Sequence, residues 1–131
     1  MVAKVVMIDE GNNYLLMKRS NHPRFLNDPD LPGGTIEDGE SPLDAMIREV
    51  IEEAGVTLDP SAVTKLYQGD DYSYHHTEYS LYEARLSNRP TVTISWEHDS
   101  YAWVSREEFL RQAHDAADTY MHMVYEVLKK L

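Results

Sequence analysis

Two apolar runs near the start of the chain predict a β-hairpin. The first spans Val2 to Ile8 and the second Tyr14 to Lys18, and Gly11 with two asparagines occupies the turn between them. The next segment, Ser20 to Pro32, is polar and holds three prolines, so we expect an irregular loop that leads the chain to a pair of glycines.

An amphipathic helix is predicted from about Pro42 to Ala54. Ser41 is a favourable N-cap, proline is well tolerated in a first helical turn, and Asp44 completes a capping-box pattern. Gly55 stands where a left-handed C-terminal cap belongs. The buried stripe at helical spacing is formed by Leu43, Met46 or Ile47, Val50 and Ala54.

β-Branched and aromatic residues in the second half of the chain predict four more strands, followed by two helices. Ser105 caps the first of these helices, and Tyr120 opens the apolar stripe of the second. This order of elements predicts an α/β fold, with a mixed sheet interleaved with helices. The four strand segments are Val63 to Gln68, Tyr79 to Leu86, Val92 to Ser95 and Tyr101 to Val104.

Length and composition narrow the class of protein. With 131 residues we expect one compact domain, spanning residues 1 to 131. The absence of cysteine excludes disulfides and thiolate metal sites, and it suits a reducing cytoplasm, where we expect the protein to lie. The apolar run Val2 to Ile8 is too short for a membrane span or a signal sequence and contains Lys4, so we expect no membrane association.

The net charge of −11 argues against binding to nucleic-acid duplexes, because that mode of binding needs a surplus of Lys and Arg. An acidic protein can still bind a small phosphorylated ligand through divalent cations that bridge carboxylates and phosphate oxygens. Such a site would appear in the sequence as a local excess of Asp and Glu.

A local excess of this kind lies on the predicted helix. Glu49, Glu52 and Glu53 are spaced i, i+3, i+4, which places them within roughly 100° of one face. Most glutamate-rich helix faces are solvated surface. Here, however, like charges repel at this spacing, and two of them stand in the last turn, where the helix dipole disfavours anions. Such a conflict commonly marks a functional site, and carboxylates without Cys or His partners suit Mg²⁺ or Mn²⁺.

Gly33 and Gly34 precede the helix and let the backbone approach its acidic face closely, because glycine has no Cβ. A backbone carbonyl could then join the metal ligands. Two adjacent glycines after a proline also fit an ordinary loop. Their spacing matches neither a dinucleotide-binding fingerprint nor a phosphate-binding P-loop.

Together these residues form a spaced pattern. Gly34 is followed after five residues by Glu40, and after seven more by the run from Arg48 to Val56, which reads REVIEEAGV. Over residues 34 to 56 the pattern resembles the Nudix box of the MutT-like Nudix hydrolases at every fixed position. The resemblance implies an α/β/α sandwich, with a mixed sheet between helices, in which the box forms a loop, a helix and a second loop under a diphosphate.

The resemblance also implies roles for individual residues. In the family, the positions that match Glu49, Glu52 and Glu53 ligate divalent metal, and a carbonyl near Gly33 is a further candidate ligand. The position that matches Arg48 orients a glutamate. We expect a site-organising role for Gly34, Glu40 and Gly55.

Glu97 is a candidate from outside the box. It lies six residues before Trp103 and is similar to a carboxylate that MutT-like members supply ahead of a tryptophan-containing strand. We expect it to be an additional metal ligand or the general base that accepts a proton from the attacking water. A surface charge is an equally good interpretation. The family also assigns the base to positions that match Glu49 or Glu53, so the identity of the base stays open.

Candidate contacts to the rest of a substrate come from cations and aromatic residues. Lys18 and Arg19, at the end of the second strand, could hold phosphate oxygens, although a solvated strand end is as good an interpretation. Phe25 and Tyr74 lie in segments that could edge a cleft and stack on a base. Asp118, ahead of the last helix, stands where some family members place a base-reading polar residue.

The expected function is hydrolysis of a pyrophosphate bond in a nucleoside diphosphate linked to another moiety, with Mg²⁺ as cofactor and Mn²⁺ as its alternative. A nucleoside triphosphate, a dinucleoside polyphosphate, a nucleotide sugar and a capped RNA end stay open as substrates. The competing hypothesis is a non-catalytic nucleotide-sensing Nudix domain, against which the intact set of carboxylates argues. The sequence leaves the oligomeric state open, with a homodimer among the alternatives.

Overall fold

The structure, a computed structural model, describes residues 1–20 and 27–131, which form a mixed β-sheet and three α-helices. Within this part of the chain the sheet has seven strands. They are β1 (Val2–Ile8), β2 (Tyr14–Arg19), β3 (Pro29–Asp30), β4 (Gly33–Thr35), β5 (Val63–Gly69), β6 (Tyr79–Arg85) and β7 (His98–Val104). The helices are α1 (Pro42–Ala54), α2 (Arg106–Asp115) and α3 (Thr119–Leu128), and a 3₁₀ turn spans Pro60–Ala62.

β1 lies at the centre of the sheet. It pairs in parallel with β6 and antiparallel with β2 and β4, while β5 extends the sheet beyond β6, and β3 and β7 both pair with β2. The predicted hairpin of β1 and β2 is confirmed. Asp9 closes its turn by accepting hydrogen bonds from the N–H groups of Gly11 and Asn13 at 2.9 and 2.8 Å, because a short aspartate side chain can cap its own backbone.

Side chains alternate along β1 between two cores. Val5 and Met7 pack on one face of the sheet with α1 residues such as Met46, whereas Val6 and Ile8 pack on the other face with α2 and α3. A strand covered by helices on both faces must be apolar at nearly every position, because successive side chains point to opposite faces. The α/β fold with its mixed sheet between helices is confirmed.

α1 begins and ends at the predicted residues. The side chain of Ser41 accepts a hydrogen bond from the N–H of Asp44 at 3.1 Å. Gly55 adopts a left-handed φ of 68° and donates its N–H to the carbonyl of Ile51 at 3.0 Å, so both caps follow from local sequence. The helix packs against β1 and β4, which brings its acidic face beside the glycine pair.

The strand predicted from Val92 to Ser95 is wrong. This segment runs beside the end of α1, where the N–H of Thr93 donates to the carbonyl of Ala54 at 2.9 Å and that of Ser95 donates to the carbonyl of Glu53 at 3.3 Å. Its alternate apolar residues pack into the core on the α1 side of the sheet. Because every second residue is buried, the sequence has the period of a β-strand although the segment pairs with no strand of the described chain.

Other strand boundaries also differ from the sequence prediction, and the three-residue strand β4 was not predicted. β7 begins at His98 rather than at Tyr101, and the expected loop from Ser20 to Pro32 contains the two-residue strand β3. Pairing between β2 and β7 shifts register between Lys18 and Arg19, which marks a β-bulge. Within the described residues, no helix combines the length and apolar character needed to cross a bilayer.

Candidate active site

A cleft of about 360 Å³ opens where β1 and β4 meet α1, the turn before β7 and the start of α3. Its described lining is strongly charged, and two cations face five carboxylates there. A polyphosphate could not approach such a surface without further positive charge. The charged residues of the lining are Lys4, Arg19, Asp30, Glu49, Glu53, Glu97 and Asp118.

Glu53 is the most deeply placed carboxylate of α1. It is 6% exposed, and its Oε2 accepts a hydrogen bond from the N–H of Gly33 at 3.0 Å. Burial raises the pKa of Glu53 to about 8, and the negative charges of Asp30 and Glu97 add to this, although Lys4 and the Gly33 N–H oppose it. A bound cation would relieve this penalty, because it would replace the missing solvation of the carboxylate.

Glu49 lies one turn earlier on the same face of α1. Burial raises its pKa, the charges of Glu52 and Glu97 act in the same direction, and Arg48 opposes them. A Cβ at Gly34 would lie only 3.0 Å from the Glu49 carboxyl group. Glycine at this position therefore leaves the space that the carboxyl group occupies.

Arg48 links the loop after β4 to α1 through hydrogen bonds to carboxylates in both elements. Its Nε and NH2 atoms donate to the carboxylate of Glu40 at 2.7 and 2.9 Å, and NH1 donates to Glu49 at 3.0 Å and to Glu52 at 3.3 Å. The bond to Glu40 raises the pKa of Arg48, and the same bond lowers the pKa of Glu40. One guanidinium thus connects three carboxylates of the box, which its planar fork of donors allows.

A buried ion-pair network forms the opposite wall. Lys4 Nζ lies 2.5 Å from Asp30 Oδ1, and Arg19 NH2 lies 3.3 Å from the same atom and 2.7 Å from Asp118. Burial opposes ionisation of Asp30, but Lys4, His98 and Arg19 hold its pKa well below its usual range. Both cations of the described lining are therefore engaged by carboxylates of the protein itself.

Two tyrosines complete this wall beside the network. The hydroxyl of Tyr120 accepts a hydrogen bond from the N–H of Lys4 at 3.1 Å and donates to the carbonyl of Ser80 at 2.5 Å. The hydroxyl of Tyr79 shares a hydrogen bond of 2.8 Å with Thr119, and the two tyrosine rings lie 4.9 Å apart. These contacts fix the start of α3 against the sheet.

The structure brings most of the expected site residues together. Gly33 and Gly34 line the cleft with Glu49, Glu53 and Glu97. Three other predicted residues stand behind this lining, where they hold the box in shape: Arg48, Glu40 and Gly55. Glu52 is placed apart from them, because its side chain is 57% exposed and contacts Arg48 outside the cleft.

Two candidate substrate contacts are not brought to the cleft. Lys18 donates a hydrogen bond to Gln112 of α2, because it and Arg19 are neighbours in β2 and point to opposite faces. Tyr74 is 85% exposed in the loop before β6 and does not line the cleft. Phe25 lies outside the described residues.

Sequence reasoning missed the network around Asp30. One signal was available, since Lys4 is the single charged residue in the apolar run Val2 to Ile8, and a buried strand position rarely holds an unpaired lysine. Nothing local in the sequence indicates its partner, which is 26 residues away along the chain.

In the described parts of the chain, no three Asp, Glu or His side chains converge tightly enough to form a finished metal site. Glu49 contacts Arg48 through Oε1, and Glu53 contacts the N–H of Gly33 through Oε2, so the second oxygen of each carboxylate is left to bind a metal. The donors are all oxygen atoms, and carboxylates outnumber cations in the described lining. This donor set fits a hard divalent cation such as Mg²⁺.

Comparisons with known proteins agree with this geometry. The family model described as "NUDIX domain" matches residues 1–124. "Nucleoside triphosphatase NudI" of Enterobacter sp. (strain 638) is 34% identical over 112 residues, which cover 77% of this chain and 79% of that protein. "8-oxo-dGTP diphosphatase" of Escherichia coli (strain K12) is 36% identical over 56 residues, which cover 43% of each chain.

Among solved structures, the crystal structure of a C. elegans Ap4A hydrolase binary complex matches with a TM-score of 0.73 at 26% identity. The match covers 99% of this chain and 94% of that chain. The chain spans 64%, 38% and 43% of the lengths of three curated relatives, from Bacillus subtilis, Methanocaldococcus jannaschii and E. coli. The likeness in fold is thus nearly full-length, whereas these three relatives extend beyond it.

Proposed function

This chain belongs to the Nudix family, and we propose that it is a hydrolase that uses a divalent metal ion to cleave a pyrophosphate bond in a nucleoside diphosphate linked to another moiety. The observation that carries the proposal is the acidic cleft, in which Glu49, Glu53 and Glu97 lie beside the Gly33 turn. The proposed metal is Mg²⁺, with Mn²⁺ as a substitute, and its ligands come from these carboxylates and from the Gly33 carbonyl. Glu52 would join them only by leaving its contact with Arg48 outside the cleft.

The charge of the cleft supports a metal rather than a protein cation as the partner of the diphosphate. Lys4 and Arg19, the two cations of its described lining, already face Asp30 and Asp118. Five carboxylates repel a diphosphate unless divalent cations lie between them. A divalent cation supplies charge neutralisation at the diphosphate and activation of water at neutral pH.

Residues around the cleft hold the proposed ligand carboxylates in position. Arg48, held by Glu40, keeps Glu49 on the cleft side of α1. Gly33 fixes Glu53 through its N–H, and Gly34 leaves the space for Glu49. These contacts hold oxygen donors in place before substrate arrives, which reduces the reorganisation needed for reaction.

The general base is one of three carboxylates. Glu49 and Glu53 are each held by a donor of the protein, whereas the side chain of Glu97 is exposed and has no hydrogen-bond or ion-pair partner among the described residues. A base must be free to accept a proton within hydrogen-bond reach of the attacking water. We therefore favour Glu97 for this step, with a second role as a further metal ligand, and assign Glu49 and Glu53 as ligands alone.

Nucleoside triphosphates are the substrates that we propose to test first. Two of the relatives carry the names nucleoside triphosphatase and 8-oxo-dGTP diphosphatase. Asp118, in the wall opposite the acidic face, offers an acceptor to a base or sugar, whereas its charge would repel a second polyphosphate.

The test is a panel of nucleoside triphosphates, oxidised nucleotides, dinucleoside polyphosphates and nucleotide sugars, incubated with Mg²⁺ and read by phosphorus NMR. We expect Mg²⁺-dependent formation of two phosphorylated products from at least one member of the panel. Tight nucleotide binding without turnover of any member would instead support the nucleotide-sensing alternative.

A further inference from the structure

His98 and Glu97 are neighbours with opposite environments. Glu97 is exposed and lines the cleft, whereas His98 is only 5% exposed and lies with its Nε2 atom 2.9 Å from Oδ2 of Asp30. The ionised Asp30 carboxylate only accepts hydrogen bonds, so the imidazole Nε2 carries the proton and donates it. A buried, charge-assisted hydrogen bond therefore lies one residue after a candidate catalytic carboxylate.

The β-bulge between β2 and β7 accounts for this placement. Lys18 of β2 pairs with Ser100 of β7, but the next residue, Arg19, pairs with His98. Asp99 is therefore an extra residue in the ladder. A bulge bends its strand and changes the direction of nearby side chains, and here it accompanies the change from the exposed Glu97 to the buried His98.

The Glu97 side chain depends on its backbone for position. Among the described residues it has no hydrogen-bond or ion-pair partner. Its turn is attached through main-chain contacts to Ser20, whose N–H donates to the Glu97 carbonyl at 3.0 Å and whose hydroxyl donates to the Trp96 carbonyl at 2.7 Å. On the other side of the turn, the buried anchor is the side chain of His98.

Asp30 also reaches the opposite side of the cleft. Its Oδ1 atom lies 2.5 Å from Nζ of Lys4, whose charge in turn acts on Glu53. The two oxygens of Asp30 are thus divided between a histidine beside Glu97 and a lysine beside Glu53. The buried carboxylate of Asp30 is therefore connected, through His98 and Lys4, to the surroundings of both Glu97 and Glu53.

We propose that the hydrogen bond between Asp30 and His98 is a positioning device that holds the turn of Glu97 against the cleft, so that its carboxylate faces Glu49 and Glu53. The inference rests on the proposed function for its catalytic consequence. Neither Asp30 nor His98 is assigned as a metal ligand. Partners of this kind, behind the groups that bind a metal, commonly change metal affinity or activity roughly 10- to 100-fold when they are removed.

The test compares two substitutions of the histidine. His98→Gln keeps an N–H donor at a reach similar to that of Nε2, whereas His98→Leu keeps the bulk and removes the donor. Phe109→Leu is the matched control, because Phe109 is fully buried in the core on the α2 side of the sheet and its truncation lowers stability without touching the turn.

Three measurements are made on each variant: kcat and KM at saturating Mg²⁺, Mn²⁺ affinity without substrate by electron paramagnetic resonance, and amide hydrogen exchange of residues 95–98. For His98→Leu we expect kcat to fall roughly 10- to 100-fold, with a much smaller change in KM, weaker Mn²⁺ binding and faster exchange in the turn. His98→Gln should stay close to the wild type in all three, and Phe109→Leu should keep its kcat and Mn²⁺ affinity.

The proposal is overturned if His98→Leu retains the kcat and Mn²⁺ affinity of the wild type. It is also overturned if His98→Gln loses as much as His98→Leu, or if Phe109→Leu loses kcat to the same degree, since stability alone would then explain the effect. Absence of turnover in the wild type would contradict the proposed function, while Mn²⁺ affinity and amide exchange would still decide the role of the hydrogen bond.

Discussion

The two adjacent glycines of the cleft, Gly33 and Gly34, are required for different structural reasons. At Gly33 a Cβ would lie 2.4 Å from the carbonyl oxygen of Ala3, and φ is 131°, so the backbone itself excludes a side chain. At Gly34 the nearest obstacle is the end of the flexible Glu49 side chain, 3.0 Å away. The backbone excludes a side chain at the first glycine, whose N–H also holds Glu53, whereas the second glycine makes room for the Glu49 carboxyl group.

Alanine substitutions should separate these two roles. Gly33→Ala should lower the free energy of unfolding by more than about 1 kcal/mol, because both the backbone and φ are incompatible with a side chain. Gly34→Ala should change stability by less than about 0.5 kcal/mol yet lower kcat, since only the Glu49 carboxyl group has to move. Thermal unfolding and initial rates measured on both variants check this. Equal losses of stability would contradict it.

The lowered pKa of Asp30 should make the stability of the fold depend on pH. Burial opposes its ionisation, but Lys4 and His98 hold its pKa well below the usual range in the folded protein. Such a carboxylate stabilises the fold at every pH above its unfolded pKa and loses that contribution as the pH falls through the lower folded value. Asp30→Asn leaves Lys4 buried without its counter-charge, which should cost about 3 to 5 kcal/mol at neutral pH.

Urea unfolding of the wild type and Asp30→Asn between pH 7 and pH 3 measures this difference. The gap in unfolding free energy should stay constant down to about pH 5 and shrink only below about pH 4, near the unfolded pKa of aspartate. A gap that closes between pH 7 and pH 5 would show that Asp30 is not held ionised by its partners.

Sequence alone predicted the acidic face of the site but only part of the opposite wall. The spacing of Glu49 and Glu53 is local, so it can be read along one helix. Lys18 and Arg19 were treated alike, although neighbours in a strand point to opposite faces, and only Arg19 reaches the cleft. The partnership of Lys4 with Asp30 is not local, and only the pairing of β2 with β3 and of β1 with β4 creates it.

Within the secondary structure, the loop after β4 and helix α1 act as one unit because Arg48 joins them. Its Nε and NH2 atoms hold Glu40, while NH1 reaches Glu49. Arg48→Lys should lower kcat by roughly tenfold, because a single ammonium group cannot span both carboxylates. Steady-state rates test this, with Arg111→Lys on the exposed face of α2 as the control. Unchanged kcat in Arg48→Lys would argue against this orienting role.

Comparison of α1 with the segment Val92 to Ser95 shows which local sequence signals are sufficient to predict a secondary-structure element. α1 was predicted to the residue because Ser41 and Gly55 cap it through contacts within one turn. The segment Val92 to Ser95 was misread because its apolar residues pack beside α1 without joining the sheet. Periodicity reports burial, and strand pairing is a separate property that depends on distant partners.

The protein as a whole carries a net charge of −11, and its cleft concentrates part of that charge. Mg²⁺ that binds only the folded state should raise the melting temperature even without nucleotide, by an amount that grows with the logarithm of its concentration relative to its Kd. Glu53→Gln should remove most of this rise. Calorimetry with MgCl₂ and with NaCl at equal ionic strength tests it, because general screening predicts the same effect from both salts.

The arrangement of a sheet between two layers of helices was predicted from the resemblance to the Nudix family and not from hydrophobic periodicity. The order of elements predicted a mixed sheet interleaved with helices, and the resemblance to the Nudix family implied that the sheet lies between helices. Neither indicated which helices cover which face of β1. The packing of α2 and α3 on the face opposite α1 depends on contacts between segments far apart in sequence. These contacts also bring Asp118 and Tyr120 to the cleft, where they form its second wall.

The central claim is that the α1 carboxylates and a divalent metal cleave a pyrophosphate bond. The most direct measurement is the rate at which phosphorus products form from the best nucleotide of the panel, at saturating Mg²⁺, in the wild type, Glu53→Gln and the exposed control Glu107→Gln. We predict two phosphorylated products, a loss of roughly 100-fold or more in Glu53→Gln, and wild-type turnover in Glu107→Gln. Turnover that survives in Glu53→Gln, or that proceeds equally in the presence of EDTA, would contradict the claim.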